Sequence, residues 1–397
     1  MTDKTNNKAD FEQAIRASAP VMYGSLGRDA YYKIQTGEEL FSFFEVSFEE
    51  FLGVCQYQLE LGYELYEYNV MNGNHFATLF KGNHLLHVYW IECESELNVA
   101  ISATGGASLP SRTDIPDKGY APSVTQLKSD KRNGMGYAVQ LRDGSFIVYD
   151  GGYSHHADEL WSTLSALKGS EEDIVIRAWI ITHAHGDHYP CFKAFSEKYA
   201  QKVTLQTLMI SPINEADAFD KYLNAEVLGN VEKFTGAKIL YLHTGMLFNY
   251  GDLRLEILLT PDEIYIAEKN VGHGKLIDFN NSSIVSRIQC DGRSCIFLGD
   301  AFDISAYNML VYYGKYLKSD MCQMSHHGLE NFPLIAYRHI RPSILWYPCS
   351  ASCYSRDGKA DSDGRDEDVR RALRQSGYTK EIIVHDRARE TRYFKNI

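Results

Sequence analysis

Residues Thr182–His188 read Thr-His-Ala-His-Gly-Asp-His and directly follow the apolar run Ile174–Ile181. An apolar run of this length that is rich in β-branched residues predicts a buried strand. The loop after such a strand lies at the carboxyl edge of the sheet, where α/β architectures usually place their sites. His183 and His185 are two residues apart, so an extended loop directs both imidazoles to the same side.

The second half of this loop adds a carboxylate and a third imidazole. Gly186 permits a tight bend, which lets Asp187 and His188 turn back towards His183 and His185. Imidazole nitrogens and carboxylate oxygens are ligands for zinc, manganese or iron. Adjacent imidazolium ions would repel each other, so a dense histidine cluster is stable mainly when a metal keeps the rings neutral. We therefore predict a metal site here rather than a solvated histidine-rich loop.

Two later segments repeat the pattern of a strand followed by metal-ligand side chains. The apolar run Cys295–Leu298 ends in Gly299-Asp300, and a histidine pair, His326 and His327, precedes Gly328. Taken alone, Asp300 is typical of a turn, and the histidine pair suits a surface loop as well as a metal site. Because a two-metal site needs more ligands than the first cluster supplies, both segments become candidate ligands.

The chain divides into two predicted units, as its 397 residues exceed the size at which one core usually stops growing. Residues 1–120 predict a small α+β accessory domain without a catalytic cluster. Its first 20 residues are polar and predict a loose segment, and Ser47–Glu50 has capping-box spacing at the start of a helix. Three or four strands follow, and the polar stretch Gly105–Ser123 then predicts a linker.

Residues 125–397 predict an α/β domain. A hairpin around Asp143-Gly144 is followed by alternating helical and strand patterns, among them a helix at Glu215–Phe234, and by a second hairpin at Ser283–Leu298. Hairpins mixed with β-α units over this length predict two sheets covered by helices.

Charge and composition limit the partners. The formal net charge is −12, and no basic face is evident, which argues against long nucleic acid as the substrate. A small molecule or a short phosphodiester fits better. No run of 18 apolar residues predicts a membrane span. The polar start of the chain has no signal-peptide pattern, and the eight scattered cysteines suit buried reduced thiols. We expect a cytoplasmic protein and leave its oligomeric state open.

The order of these motifs resembles the metallo-β-lactamase superfamily. The resemblance covers about residues 130–397 and consists of Asp150-Gly151-Gly152, the loop Thr182–His188, Gly299-Asp300 and His326-His327-Gly328. Together with Asn281-Ser282-Ser283, these segments look closest to the branch that contains the hydrolase domain of ComEC-type DNA-uptake proteins. The resemblance implies an αββα sandwich that binds one or two divalent metal ions at one edge.

The same resemblance implies a role for each site residue. His183 and His185 would hold the first metal, Asp187 and His188 the second, and Asp300 would bridge them. One of the pair His326 and His327 would be a ligand, and the other would face the substrate or donate a proton to the leaving group. Asp150 would orient the first histidine loop, although an aspartate before two glycines also suits a simple turn.

The sequence departs from the family pattern at two places. The superfamily often has a further histidine ligand between the first cluster and the bridging aspartate, but here that interval contains only His243 and His273. His243 ends a predicted strand and suits a partly buried histidine, whereas His273 lies in a glycine-flanked loop and could contact substrate. Where the ComEC type carries Asn-x-Tyr-x-His-Pro, this chain reads Cys353–Asp357, so substrate contacts there should differ.

These residues predict a metal-dependent hydrolase. Two neighbouring cations lower the pKa of a shared water and provide a hydroxide nucleophile at neutral pH, and Asp187 is placed to orient it. Zinc is the first expectation, with manganese or iron as alternatives. The branch resemblance favours a phosphodiester substrate. The alternatives are hydrolysis of a lactone, thioester or amide in a small metabolite, or a metal-binding sensor with little activity.

Overall fold

Twenty strands of the described chain form three sheets. The computed structural model describes residues 8–27, 30–35, 38–111, 115–129, 133–211, 224–262, 279–328, 332–354, 365–385 and 388–397. No helix within these ranges is both long and apolar enough to span a bilayer. The first sheet belongs to the amino-terminal part of the chain, and the other two carry the histidine and aspartate motifs.

The amino-terminal sheet is antiparallel, with the strand order β1-β2-β6-β5-β4-β3. Its strands are β1 Ala30–Gln35, β2 Glu38–Phe43, β3 Glu64–Met71, β4 Asn74–Lys81, β5 His84–Ile91 and β6 Glu96–Ser102. The helix Phe48–Glu60 contributes Phe51, Val54 and Cys55 to the core of this unit. Ser47 and Glu50 form the predicted capping box at its start, which is thereby confirmed.

The expectation that the first 20 residues are loose is wrong for Lys8–Ala17, which forms a helix, and residues 1–7 lie outside the described part of the chain. Phe11 and Ile15, one helical turn apart, are fully buried. The ring of Phe11 stacks on Tyr68, with centroids 3.6 Å apart and planes within 3°. The two apolar positions are too few to stand out in a polar segment, but long-range packing against Tyr68 and Phe51 stabilises the helix.

The second and third sheets each have seven strands. The second has the order β12-β11-β10-β9-β8-β7-β20, with parallel pairing from β9 to β12. Its strands are β7 Ser123–Gln126, β8 Gly136–Gln140, β9 Phe146–Asp150, β10 Ile174–Ile180, β11 Val203–Ile210, β12 Lys238–Tyr241 and β20 Glu390–Tyr393. The predicted linker therefore ends at a core strand, since β7 begins at Ser123 and pairs with both β8 and β20.

The third sheet has the order β13-β14-β15-β16-β17-β18-β19, and its pairing is parallel from β16 to β19. Its strands are β13 Leu247–Tyr250, β14 Leu253–Leu259, β15 Val285–Cys290, β16 Arg293–Phe297, β17 Met321–Gln323, β18 Ile344–Tyr347 and β19 Glu381–Val384. The two predicted hairpins correspond to β8–β9 and β15–β16, so both are confirmed.

The second and third sheets face each other across a shared apolar core, and helices cover their outer faces. Tyr149 of β9 stacks on Phe297 of β16, with centroids 3.9 Å apart, at the centre of this core. The covering helices are Ala157–Lys168 and Pro190–Tyr199 on the second sheet, and Asp303–Tyr313, Leu334–Ile340 and Arg365–Gln375 on the third. The predicted α/β fold with helix–sheet–sheet–helix layers is confirmed.

Of the predicted helix Glu215–Phe234, the part up to residue 223 lies outside the described residues. The part that follows forms a π-helical turn, Asn224–Leu228, and one α-helical turn, Gly229–Val231.

The amino-terminal sheet packs directly against the rest of the chain. A Cβ atom on Gly245 would lie 1.6 Å from Cδ1 of Phe76, which shows how closely β4 approaches the turn after β12. The side-chain amides of Asn72 and Asn74 both donate to the backbone oxygen of Tyr312 at 2.8 Å. The division at residues 120–125 stays a prediction.

Candidate metal centre

Four chain segments converge at one edge of the two central sheets. β9 ends at Asp150, and its parallel neighbour β10 leads into His183–His188. β16 leads to Asp300, and its parallel neighbour β17 leads into Ser325–Gly328. Because parallel strands end at the same edge, residues that are far apart in the sequence meet in one place. The structure thus brings together the first histidine cluster, Asp300 and the histidine pair.

His183, His185 and Asp300 form one group of ligand atoms. One such atom from each residue lies within 4.8 Å of the other two. His183 Nε2 is 2.9 Å from His185 Nδ1 and 3.7 Å from Asp300 Oδ2. His183 and Asp300 are buried, whereas His185 is partly exposed at the mouth of the site.

Asp187, His188 and His327 form a second group with the same spacing. His327 Nε2 lies 3.0 Å from Asp187 Oδ2, and His188 Nε2 lies 3.8 Å from Asp187 Oδ1. Asp300 Oδ2 approaches this group as well, at 3.1 Å from His188 Nε2 and 3.4 Å from His327 Nε2. Asp300 therefore lies between the two groups.

The histidine pair is separated by its backbone conformation. His326 and His327 both have positive φ, 46° and 57°, so their side chains diverge. His327 Nδ1 donates to the backbone oxygen of Pro348 at 2.9 Å, which directs Nε2 towards the two carboxylates. His326 instead sets its ring edge-on against Phe302, with centroids 5.0 Å apart. A Cβ at Gly328 would lie 2.4 Å from the Tyr347 ring, so only glycine fits there.

Asp150 holds the first histidine loop in place. Its Oδ1 accepts from the Thr182 backbone N–H at 2.7 Å, and its Oδ2 accepts from the Thr182 hydroxyl at 2.8 Å. His188 Nδ1 lies 2.7 Å from the same Oδ2, which places the ring proton on Nδ1 and leaves Nε2 facing the site. The side chain of Asp150 is fully buried.

The electrostatics of the site reflect buried imidazoles facing buried carboxylates. Burial lowers the pKa of His183, and the adjacent His188 lowers it further. Burial also acts against charge on His327, but Asp300 and Asp187 outweigh it and raise its pKa to about 10. Burial opposes ionisation of Asp300 as well, yet His188 and His327 hold its pKa well below the usual range. Burial likewise opposes ionisation of Asp187, but His327 and His188 hold its pKa below the usual range. Asp187 and Asp300 are therefore both ionised at neutral pH.

A divalent cation fits these residues. Asp300 Oδ1 and His327 Nε2 are buried and have no hydrogen-bond partner among the described residues. Although Asp187 Oδ2 is only 3.0 Å from His327 Nε2, the two atoms do not meet hydrogen-bond geometry, as suits two ligands that point at a common ion. Nitrogen and oxygen donors in this proportion suit zinc, manganese or iron.

Of the other candidates from the sequence, His243 does not join the site. His243 is fully buried two strands away, between Asp262 and Glu38. His273 lies outside the described residues. In the segment Cys353–Asp357, residues 355–357 also lie outside them, and the Tyr354 hydroxyl accepts from Arg374 at 2.9 Å.

One positioning residue was missed at the sequence level. Gln323 of β17 is fully buried; its Oε1 accepts from Leu298 N at 2.8 Å, and its Nε2 donates to Gly299 O at 2.9 Å. Both bonds fix the loop that presents Asp300. A lone amide in the apolar run Met321–Met324 was the available signal, because a buried polar side chain must find partners.

Residues 130–205 match the family model described as the metallo-beta-lactamase superfamily. The match includes the Asp150 turn and the loop Thr182–His188, but it ends before Asp300 and the histidine pair. It supports the predicted metallo-β-lactamase superfamily, and it does not reach the segments on which the ComEC-type branch depends. No curated protein sequence matches the chain.

Solved structures with a similar fold include YhfI, a metallo-β-lactamase fold protein from Bacillus subtilis, with 12% identity and a TM-score of 0.41 over 68% of this chain and 99% of YhfI. CmlA, a diiron β-hydroxylase from Streptomyces venezuelae, has 12% identity and a TM-score of 0.43 over 70% of this chain and 55% of CmlA. The short form of human tRNase Z has 12% identity and a TM-score of 0.32 over 56% and 91%. Likenesses at this level carry no information about activity.

Proposed function

We propose that the protein is a metal-dependent hydrolase that acts on a phosphodiester. The observation that supports this most is the position of Asp300, whose Oδ2 lies 3.7 Å from His183 Nε2, 3.1 Å from His188 Nε2 and 3.4 Å from His327 Nε2. A carboxylate between two groups of ligand atoms suits the bridge of a two-metal site. Such a metal pair supplies an activated water and stabilises charge on the oxygens of the scissile group.

Each residue has a proposed task. His183, His185 and Asp300 hold the first ion, and Asp187, His188, His327 and Asp300 hold the second. Asp150 fixes the tautomer and orientation of His188, as a carboxylate behind a metal-binding imidazole does. Asp187 keeps a partly exposed carboxylate, with its side chain at 20% accessibility, and orients the attacking water.

His326 is the proposed substrate-facing histidine. Burial keeps its pKa below the usual value, so the ring is neutral at pH 7 and retains one N–H group. Its Nδ1 has no hydrogen-bond partner among the described residues. We assign to this ring the hydrogen bond to the oxygen of the leaving group.

The substrate class follows from the resemblance and not from the site. The segments Asn281–Ser283, Gly299-Asp300 and Ser325–Gly328 look most like a branch that acts on phosphodiesters. The second candidate is a lactone, thioester or amide of a small metabolite, which the net charge of −12 favours over a polyanion. Zinc is the first choice of metal, and manganese and iron are the alternatives.

A reconstitution assay tests the proposal. The purified chain is stripped with a chelator, reloaded with zinc, manganese or iron(II), and assayed on a p-nitrophenyl phosphodiester, p-nitrophenyl phosphate and a lactone. We expect metal-dependent turnover of the diester to exceed that of the other two. Turnover of the lactone alone would select the second candidate, and absence of metal-dependent turnover on every substrate would favour a metal-binding sensor.

A further inference from the structure

A second cluster of histidine and carboxylate side chains lies at the same edge of the sheets. His243 follows β12, Asp262 follows β14, and Glu38 begins β2 of the amino-terminal sheet. Because β12 is two strands away from β10, the cluster is roughly 10 Å from the His183 loop. All three side chains are buried, with exposures of 0%, 0% and 1%.

Only one of the two ring nitrogens of His243 has a hydrogen-bond partner among the described residues. His243 Nδ1 donates to Asp262 Oδ2 at 2.8 Å, so Nε2 is the ring nitrogen that remains to bind a further partner. Nε2 faces Glu38 Oε2 at 3.8 Å, which is too long for a hydrogen bond. Neither of these atoms, nor Asp262 Oδ1, has a hydrogen-bond partner among the described residues. Buried polar atoms are normally paired, so three in one place indicate a missing partner.

Burial acts against charge on His243, but Asp262 and Glu38 outweigh it and raise its pKa to about 10. In the metal-free chain this ring is therefore the one cation among the described residues that faces the two carboxylates. Burial and the neighbouring His243 lower the pKa of His87 to about 3, so this stacked ring is neutral. The hydroxyls of Thr244 and Thr260 pair with each other at 3.1 Å. In the described part of the chain, no lysine or arginine forms an ion pair with Glu38 or Asp262. Two buried carboxylates thus face one imidazole.

One acidic group of described residues outside the candidate metal centre has its ligand atoms within 4.8 Å of one another, but it already has a cation. Asp252, Cys290 and Asp291 lie close together at the surface. Arg142 already binds both carboxylates there, with Nε 2.5 Å from Asp252 Oδ2 and Nη2 on Asp291. A guanidinium neutralises that group, whereas no described lysine or arginine pairs with Glu38 or Asp262.

We propose that His243 Nε2 and Glu38 Oε2 bind a divalent cation, zinc in the first instance, at a site separate from the candidate metal centre. Two ligand atoms that each lie about 2.0–2.2 Å from one zinc ion can be separated by up to roughly 4.2 Å, and the observed 3.8 Å falls within this limit. Asp262 acts as the carboxylate that fixes the ring of a metal-binding histidine. The ion neutralises Glu38 and Asp262, and water completes its coordination.

This site would join two parts of the chain. Glu38 belongs to the amino-terminal sheet, whereas His243 and Asp262 follow strands of the two central sheets. A bound ion would therefore connect the amino-terminal sheet to the edge of the two central sheets that carries the candidate metal centre.

Metal counting on the full-length chain tests the proposal. Protein saturated with zinc and then desalted is measured by mass spectrometry of the metal, for wild type, Glu38→Gln, His243→Asn and the control Glu39→Gln. Glu39 is the partly exposed neighbour of Glu38 on the same strand. We expect the first two variants to hold one zinc equivalent fewer than wild type, and the control to match wild type. The comparison with wild type makes the result independent of how many ions the candidate metal centre holds.

Glu38→Asp covers the case in which the first two variants do not fold. It keeps the buried charge and shortens the side chain. We therefore expect Glu38→Asp to bind the same number of zinc equivalents as wild type, but to hold the ion at this site at least tenfold more weakly, as measured by competition with a chromophoric chelator. Zinc content and affinity equal to wild type in every folded variant would overturn the proposal and assign the gap to water beside a protonated His243.

Discussion

His327 Nε2 lies 3.0 Å from Asp187 Oδ2, and this contact joins two loops that come from different sheets. The contact depends on His327 Nδ1, which is engaged by the Pro348 carbonyl and so turns Nε2 inward. The neighbouring His326 does not share this contact, because its ring packs edge-on against Phe302.

The two histidines should therefore respond differently to truncation. We expect His327→Ala to lose metal and activity together, because it removes a ligand that both carboxylates face. His326→Ala should keep its metal content and lose about 10²-fold or more in kcat, as expected when a group that assists the leaving group is removed. Metal analysis and kinetics on the same preparations decide this. Loss of metal from His326→Ala with retention in His327→Ala would reverse the assignment.

Asp150→Asn should weaken metal binding without unfolding the chain. Asp150 has φ of 51°, a conformation that asparagine tolerates. The amide carries no charge. Its oxygen can still accept from the Thr182 N–H, but an NH2 group replaces the oxygen that accepts from the Thr182 hydroxyl and from His188 Nδ1. We therefore expect metal affinity to fall roughly 10–100-fold. Asp173→Asn is the matched control, since Asp173 has φ of 54° but is exposed. Equal metal affinity in the two variants would exclude the orienting role of Asp150.

The closeness of the amino-terminal sheet can be tested at Gly245. Gly245→Ala and Gly236→Ala both place an alanine at positive φ, 90° and 78°, which costs about 1–2 kcal/mol in each. Only at Gly245 would the new Cβ collide with Phe76, whereas nothing lies within 4 Å of Gly236. We expect Gly245→Ala to lose a further ~1–3 kcal/mol from overpacking. Urea unfolding measures the difference, and similar losses in both variants would mean that β4 does not press on this turn.

Acid should destabilise the chain partly through His87. Burial lowers its pKa from 6.5 to about 3, so below pH 6.5 the unfolded chain binds a proton that the folded chain does not. The stability that neutral His87 contributes is thus complete above pH 6.5 and falls by up to ~1.4 kcal/mol per pH unit below it. Between pH 7 and 5, wild type should lose about 2 kcal/mol more than His87→Gln. His84→Gln, at the exposed start of the same strand, should behave like wild type.

The sequence predicted most of the local features of the site. The loop Thr182–His188 is recognisable because its ligands are contiguous and follow an apolar strand. Asp300 and the histidine pair were found as candidates for the same reason. Which histidine faces the carboxylates was not predictable, because that depends on two residues at positive φ and on the Pro348 carbonyl.

Long-range contacts account for what the sequence did not show. The helix Lys8–Ala17 is stabilised by long-range packing, such as the stacking of Phe11 on Tyr68 of the amino-terminal sheet. The burial of His243 by Glu38 joins residues from different sheets, and no local pattern indicates it. The core strand β7 was not predicted, because it follows a polar stretch that resembled a linker. Its place in the sheet depends on pairing with β8, the next strand in the chain, and with β20, the last one.

The central claim is that the segments around His183–His188, Asp300 and His327 enclose at least one divalent cation. Anomalous diffraction from crystals of the zinc-loaded chain, collected at the zinc absorption edge, tests it most directly. We predict a strong peak bounded by His183, His185, Asp187, His188, Asp300 and His327. Density for these side chains without an anomalous peak between them, or loops that lie apart, would contradict the claim.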